Sequence, residues 1–185
     1  MNREAILDHL GYGLAHVDGL RWLCEQLLAG IPIGPARIIV GNREMIARGT
    51  FAYIQNPIAE SGLIYCRKLL EFLGIKLDRD GQVLYSRTSA PADGDVGIEH
   101  LGVQRVPATA IAAVPIAPEP ELREACMHTL RSANKGVAHF TVDRGEQSSV
   151  PKILLCAKTV TWLVEKHVYK ELQMDPPFYR VWTAG

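Results

Sequence analysis

Between Arg131 and Arg144 the chain collects Arg131, Asn134, Lys135, His139 and Arg144, groups able to bind an anion or move a proton. If one helix carries Glu119 through His139, then His128, Arg131, Lys135 and His139 recur at spacings of three or four. They share a polar face, with Asn134 at its margin. Two cations beside an imidazole disfavour its protonated form and push its pKa below the reference of about 6.5. A neutral imidazole next to fixed positive charge suits a general base beside a phosphate that Lys135 or Arg131 holds. The same residues also have a plainer use: His139 can bond a carbonyl or carboxylate between helices while Arg131, Lys135 and Arg144 stay in water.

Such a face needs helices to carry it, and apolar periodicity supplies them. Leu7, Leu10, Leu14, Val17, Cys24 and Leu28 alternate at three and four, with Arg21 filling the gap, which predicts a helix over 3–29. Gly11 and Gly13 weaken it by about 1 kcal/mol each against alanine; Gly30 and Pro32 stop it. Residues 37–40 read either as a short strand or as a helix start, and Asn42 as the N-cap of a short helix to about Ala47. Asn56-Pro57 reads as the N-cap and first position of the next helix. Ile58, Gly62, Cys66, Leu69, Leu70 and Leu73 line one face of it, and Gly74 ends it. Glu60, Arg67 and Glu71 form a stripe on that helix, with Arg67 and Glu71 paired at i,i+4.

Residues 75–117 change character and read as an irregular insertion. Asp78-Arg79-Asp80-Gly81 is turn chemistry, and its flanks predict a small hairpin. It is not a calcium loop, because Ser89 stands where the bidentate glutamate belongs. Asp93, Asp95, Glu99 and His100 lack regular ligand spacing, so neither metal nor cofactor is expected. Pro118-Glu119-Pro120-Glu121 opens the helix that leads into the reactive stretch, with acids at its positive end. Leu122, Cys126, Leu130, Ala133, Val137 and Phe140 mark its buried side. Ser149 or Val150 with Pro151 opens the last helix, to about Leu172, with Ile153, Ala157, Val160, Val164 and Val168 inward. The aromatic tail over 175–182 is expected to fold back over the domain or to meet a second subunit. The fold expected is one all-α domain, an up-and-down bundle of four to five helices with the insertion at 75–117.

Composition narrows the function. Twenty basic residues balance twenty acidic ones, so a surface that tracks a long nucleic-acid backbone is disfavoured, while a small local site stays open. Charged residues interrupt every apolar run, so no membrane span and no leader are expected. Cys24, Cys66, Cys126 and Cys156 form no CxxC and no ligand spacing, and read as small buried hydrophobes of a cytoplasmic protein.

Asn134-Lys135-x-x-Ala138-His139-x-Thr141-x-x-Arg144, preceded by Arg67-x-Leu69-x-Glu71-Phe72-Leu73 and by Asp95-Val96, resembles the pattern of a group of small uncharacterised bacterial helical proteins. That group is similar to HEPN domains, four-helix bundles that include toxin ribonucleases, antiphage components and many non-catalytic members. The resemblance implies a site of His139, Lys135, Asn134, Arg144 and Arg131, joined by Arg67 and Glu71 from the neighbouring helix. The chain departs from the catalytic pattern, in which an arginine precedes the histidine by four to six intervening residues. Ala133 stands where that arginine belongs, and Arg131 lies roughly 12 Å along the helix from His139, too far for both to grip one phosphate.

Three functions follow. The first is a HEPN-like protein that binds nucleotide, RNA or a protein partner, in a toxin–antitoxin or antiphage setting. The second is a non-enzymatic interaction module, in which Asn134, His139, Arg67 and Glu71 clasp two helices and a homodimer forms. The third is a metal-independent ribonuclease using His139. The missing arginine puts binding ahead of catalysis.

Overall fold

Asn2 starts the first helix: its side-chain oxygen accepts from the Ala5 amide at 2.8 Å. The computed structural model describes residues 2–30, 37–40, 43–46, 52–136 and 149–177. Helix α1 spans Arg3–Leu28, α2 Ala52–Leu73, α3 Glu119–Gly136 and α4 Val150–Val164. The described residues also hold two short antiparallel ribbons, β1 (Arg37–Val40) with β2 (Arg43–Ile46) and β3 (Ile75–Leu77) with β4 (Leu84–Ser86). The fold is therefore mostly helical, as the periodicity predicts.

α1 packs against α2 and α4, and α3 packs against the same two, so the four helices share one core. Leu14, Leu63, Leu70, Leu122, Val160 and Leu163 are among its most buried side chains. α1 and α2 run antiparallel and very close. Gly13 faces Tyr65 and Leu69, and Gly62 faces Leu20 and the His16 carbonyl. The α1 stripe is buried only as far as Cys24; Leu27 and Leu28 are exposed. Within α1, Asp18 is buried and meets Arg21 at 2.7 Å, and Arg21 also meets Glu25 at 2.8 Å.

Two sequence expectations are corrected. Residues 43–46 form a strand, not the short helix capped by Asn42, and pair with 37–40 in the register Val40↔Arg43. That register leaves only Gly41 and Asn42 between the strands, residue types that two-residue hairpins favour, beside the β-branched run Ile38-Ile39-Val40. Helix α2 begins at Ala52, before the expected Asn56 cap, and contains Pro57. Residues 52–55 hold no helix breaker, and a proline in the second turn forfeits only one backbone bond.

The insertion contributes to the core. Ile75, Leu84, Ile98, Val106 and Ile111 join the same buried cluster as the helices. The expected hairpin is present, and the Asp78 carboxylate accepts from the Gln82 and Val83 amides at 2.6 and 2.9 Å to shape its turn. Those amide bonds, the one from Val83 foremost, hold the Asp78 pKa below the usual carboxylate value. Short 3-10 helices at Ile98–Leu101 and Ala108–Ala113 follow. Arginines tie the insertion down: Arg105 donates to the carbonyls of Arg87 and Ser89, and Arg123 to those of Ala108 and Leu84.

α4 widens at its end into a π turn over Glu165–Tyr169, with Lys170 N bonded to Glu165 O. Gln173 then takes a left-handed φ of 56°, and the chain turns back so that Pro177 rests against Gly11 of α1. The chain as far as Pro177 thus lies against α1; the aromatic residues on which the expectation for the tail rests, Phe178 onward, are outside the described residues. Among the described residues no helix is long and apolar enough to cross a membrane.

Candidate functional site

Of the residues singled out in the sequence, His139 and Arg144 lie outside the described residues, as do the side chains of Asn134 and Lys135. The remaining three are placed. Arg131 reaches the insertion: its Nε donates to the Gly81 carbonyl at the hairpin turn, 2.5 Å away. Arg67 pairs with Glu71 at 2.9 Å, both side chains partly in water. Such an i,i+4 pair contributes a few tenths of a kcal/mol and orients two side chains more than it holds helices together.

Glu71 has a second neighbourhood. It lines a cleft of about 450 Å³ together with Leu69 and Phe72 of α2, and with Asp95 and Val96 of the insertion. Two of the three segments marked by sequence pattern, 67–73 and 95–96, therefore meet in one concavity. Ile6 and Leu10 of α1 extend its apolar lining. Polar groups stand around that lining: His9 from α1, Tyr65 and Lys68 from α2, Lys76 from β3, and Arg87 after β4. A cleft of this size with an apolar lining and a few converging charges is the usual form of a small-ligand site.

Each wall has a cause in the local chain. Gly74, at φ 99°, turns α2 straight into β3 and so swings Lys76 to the cleft. Its carbonyl accepts from the Arg87 amide at 2.7 Å, which fixes the start of the opposite wall. The Arg87 guanidinium is buried and reaches Glu99 through Nη2, 2.6 Å to Oε1 and 2.8 Å to Oε2. Glu99 also meets Arg105 at 3.1 Å, so one carboxylate serves two guanidiniums and the local balance is positive. The Nε of Arg87 is buried and has no hydrogen-bond partner among the described residues. Gly97 lets the pair close, because a Cβ there would press on Glu99 Oε2 and on Arg87 Nη2 and would force both side chains to shift.

Beside the cleft lies a ring cluster. His16 stacks on Tyr65 with centroids 4.7 Å apart and planes 6° apart, and Tyr12 meets both edge-on. Lys68 Nζ sits 5.1 Å from the Tyr65 centroid, in cation–π range. Burial holds the His16 pKa below its usual value, and burial with the neighbouring Tyr12 raises that of Tyr65. His9, Tyr12, His16, Tyr65, Lys68, Lys76 and Arg87 had not been singled out. His9, Tyr12 and His16 at spacings of three and four, and Tyr65 with Lys68 three apart, were the available signal.

Among the described residues, no three histidine, cysteine, aspartate or glutamate side chains are grouped to hold a metal ion. The cysteines are free and buried, and each of the four helices supplies one. The Cys156 thiol lies within hydrogen-bonding reach of Cys66 and Cys126 in the core. Compared with protein-family models, curated proteins and solved structures, the chain matches none.

Proposed function

We propose that this chain is a HEPN-like bacterial protein of the cytoplasm that binds a nucleotide in the cleft between α1, α2 and the insertion, without cleaving RNA. One observation carries the reading: Lys68 and Lys76 share a cleft of about 450 Å³ with Tyr65 and Phe72. A nucleotide asks for both kinds of surface, cations for its phosphates and an apolar or aromatic surface for its base. Glu71 and Asp95 can accept from ribose hydroxyls or exocyclic amines. Arg67 and Arg131, which the resemblance assigns to the site, are engaged by Glu71 and by the Gly81 carbonyl, so the reading rests on Lys68 and Lys76, and the missing arginine at Ala133 is what puts binding ahead of cleavage.

Calorimetric titration with adenosine and guanosine mono- and triphosphates tests this. Binding is expected, and losing the charge-assisted bonds in the double variant Lys68→Ala, Lys76→Ala weakens it by about a hundredfold. No binding by the folded protein, or equal binding by the double variant, overturns the reading. RNA cleavage by the purified protein that disappears in His139→Ala would replace it with the ribonuclease reading.

A further inference from the structure

Tyr169, the last residue of the π turn, is 2% exposed, yet its hydroxyl has no hydrogen-bond partner among the described residues. Buried phenols normally find one, so the orphan needs a reason. π turns inside helices are frequent at functional sites, because they re-aim side chains. Tyr169 lines a second pocket, of about 340 Å³, between α1 and the returning chain. Asp8 and Asp175 contribute two carboxylates to it, and Tyr12 contributes a ring that is 56% exposed. Leu7, Met174 and Pro177 supply the apolar surface, and among the described residues no lysine, arginine or histidine lines it.

We propose that this pocket binds a small aliphatic amine through its primary ammonium group. An ammonium has three N–H donors and no acceptor. Asp8, Asp175 and the Tyr169 oxygen supply acceptors, the Tyr12 ring offers a π face, and the alkyl chain packs on Met174 and Leu7. Burial and the Asp8 charge push the Tyr169 hydroxyl up to about 12, so it stays neutral and the pocket's negative charge comes from the carboxylates. The same charges repel an anionic ligand. The site is separate from the nucleotide cleft and stands whether or not that cleft binds nucleotide.

The test is an NMR titration with 1,4-diaminobutane, following the Met174 methyl, beside tetramethylammonium and N-acetyl-lysine amide. Saturable shifts with the diamine are expected, and tetramethylammonium, which has no N–H, should bind at least about tenfold more weakly. Asp8→Asn should weaken diamine binding by about tenfold or more, the loss of a charge-assisted bond. Tyr169→Phe keeps the ring and the packing, and should weaken binding by about threefold to tenfold while the fold, read by circular dichroism, is unchanged. No shift with the diamine, equal binding by either variant, or equal binding of tetramethylammonium overturns the proposal. Binding of the lysine amide in preference to the diamine also overturns it, since the source would then be a protein side chain.

Discussion

Gly62 of α2 faces Leu20 of α1 so closely that a methyl group on it would collide with the Leu20 Cβ and come 3.0 Å from the His16 carbonyl. Neither obstacle is the far end of a flexible chain, so the helices must move apart. Alanine is worth about 1 kcal/mol more than glycine within a helix, while overpacking costs about 1–3 kcal/mol and sometimes more. Gly62→Ala should therefore destabilise the protein by about 1–2 kcal/mol, measured by urea unfolding. A stabilised variant would mean that the two helices yield at this contact without cost. Because His16 and Tyr65 stack across this same contact, the variant should also disturb the ring cluster beside the cleft.

Glu99 is the counter-charge for a buried guanidinium, and removing it leaves Arg87 with a charge it cannot hydrate. The full penalty for orphaning a buried ion is about 3–5 kcal/mol. Here Glu99 is 28% exposed, which lets water enter once it is gone, so Glu99→Ala should cost about 2–3 kcal/mol. The double variant Arg87→Met, Glu99→Ala should recover part of that loss, and a double-mutant cycle in urea measures the coupling. An additive cycle would show the two side chains to be independent.

The helical fold was legible because the core faces of the helices follow period 3.6 closely: Leu14, Val17 and Cys24, and Leu69, Leu70 and Leu73, are buried as the spacing predicts. Pro57 misled because a breaker signal says where a helix can start, and residues 52–55 extend the helix past it. The cleft was not legible as a unit. Its lining comes from α1, α2, β3 and the loop beyond β4, and only tertiary packing brings Leu10, Phe72, Lys76 and Val96 together. Arg131 shows the same limit in reverse. Helical phase correctly puts it off the apolar stripe, but its partner lies fifty positions away in the hairpin turn.

His16 gives the stability a pH dependence. Its pKa in the folded protein is below 6.5, from burial, so the unfolded chain takes up this proton more readily. The contribution is fully present above about pH 6.5 and is lost as pH falls through the folded pKa. His167 is shifted the same way, by burial first and then by Lys166, and adds to the slope. Thermal unfolding should thus shift to lower temperature between pH 7 and 5. His16→Phe keeps a ring against Tyr65 and should flatten part of that dependence. An unchanged slope would assign the effect to His167 and the carboxylates.

The four cysteines lead to a test of core integrity. Cys66, Cys126 and Cys156 are at 0% exposure and Cys24 at 3%. The thiolate is the reactive form, and hydrogen bonding to Cys156 together with burial pushes the Cys66 and Cys126 thiols well up. Cys156 receives those bonds and is drawn the other way, while burial raises Cys24 to about 12. Access decides the outcome even for Cys156, since an aromatic disulfide reagent cannot reach a core that four helices enclose. The folded protein should show almost no reactive thiol over minutes, and all four in denaturant. Labelling at intermediate denaturant should follow global unfolding, with the thiols reacting together. A single thiol that labels early would locate a helix able to leave the bundle by itself, and Cys24, near the end of α1, is the one whose early reaction would mean only fraying.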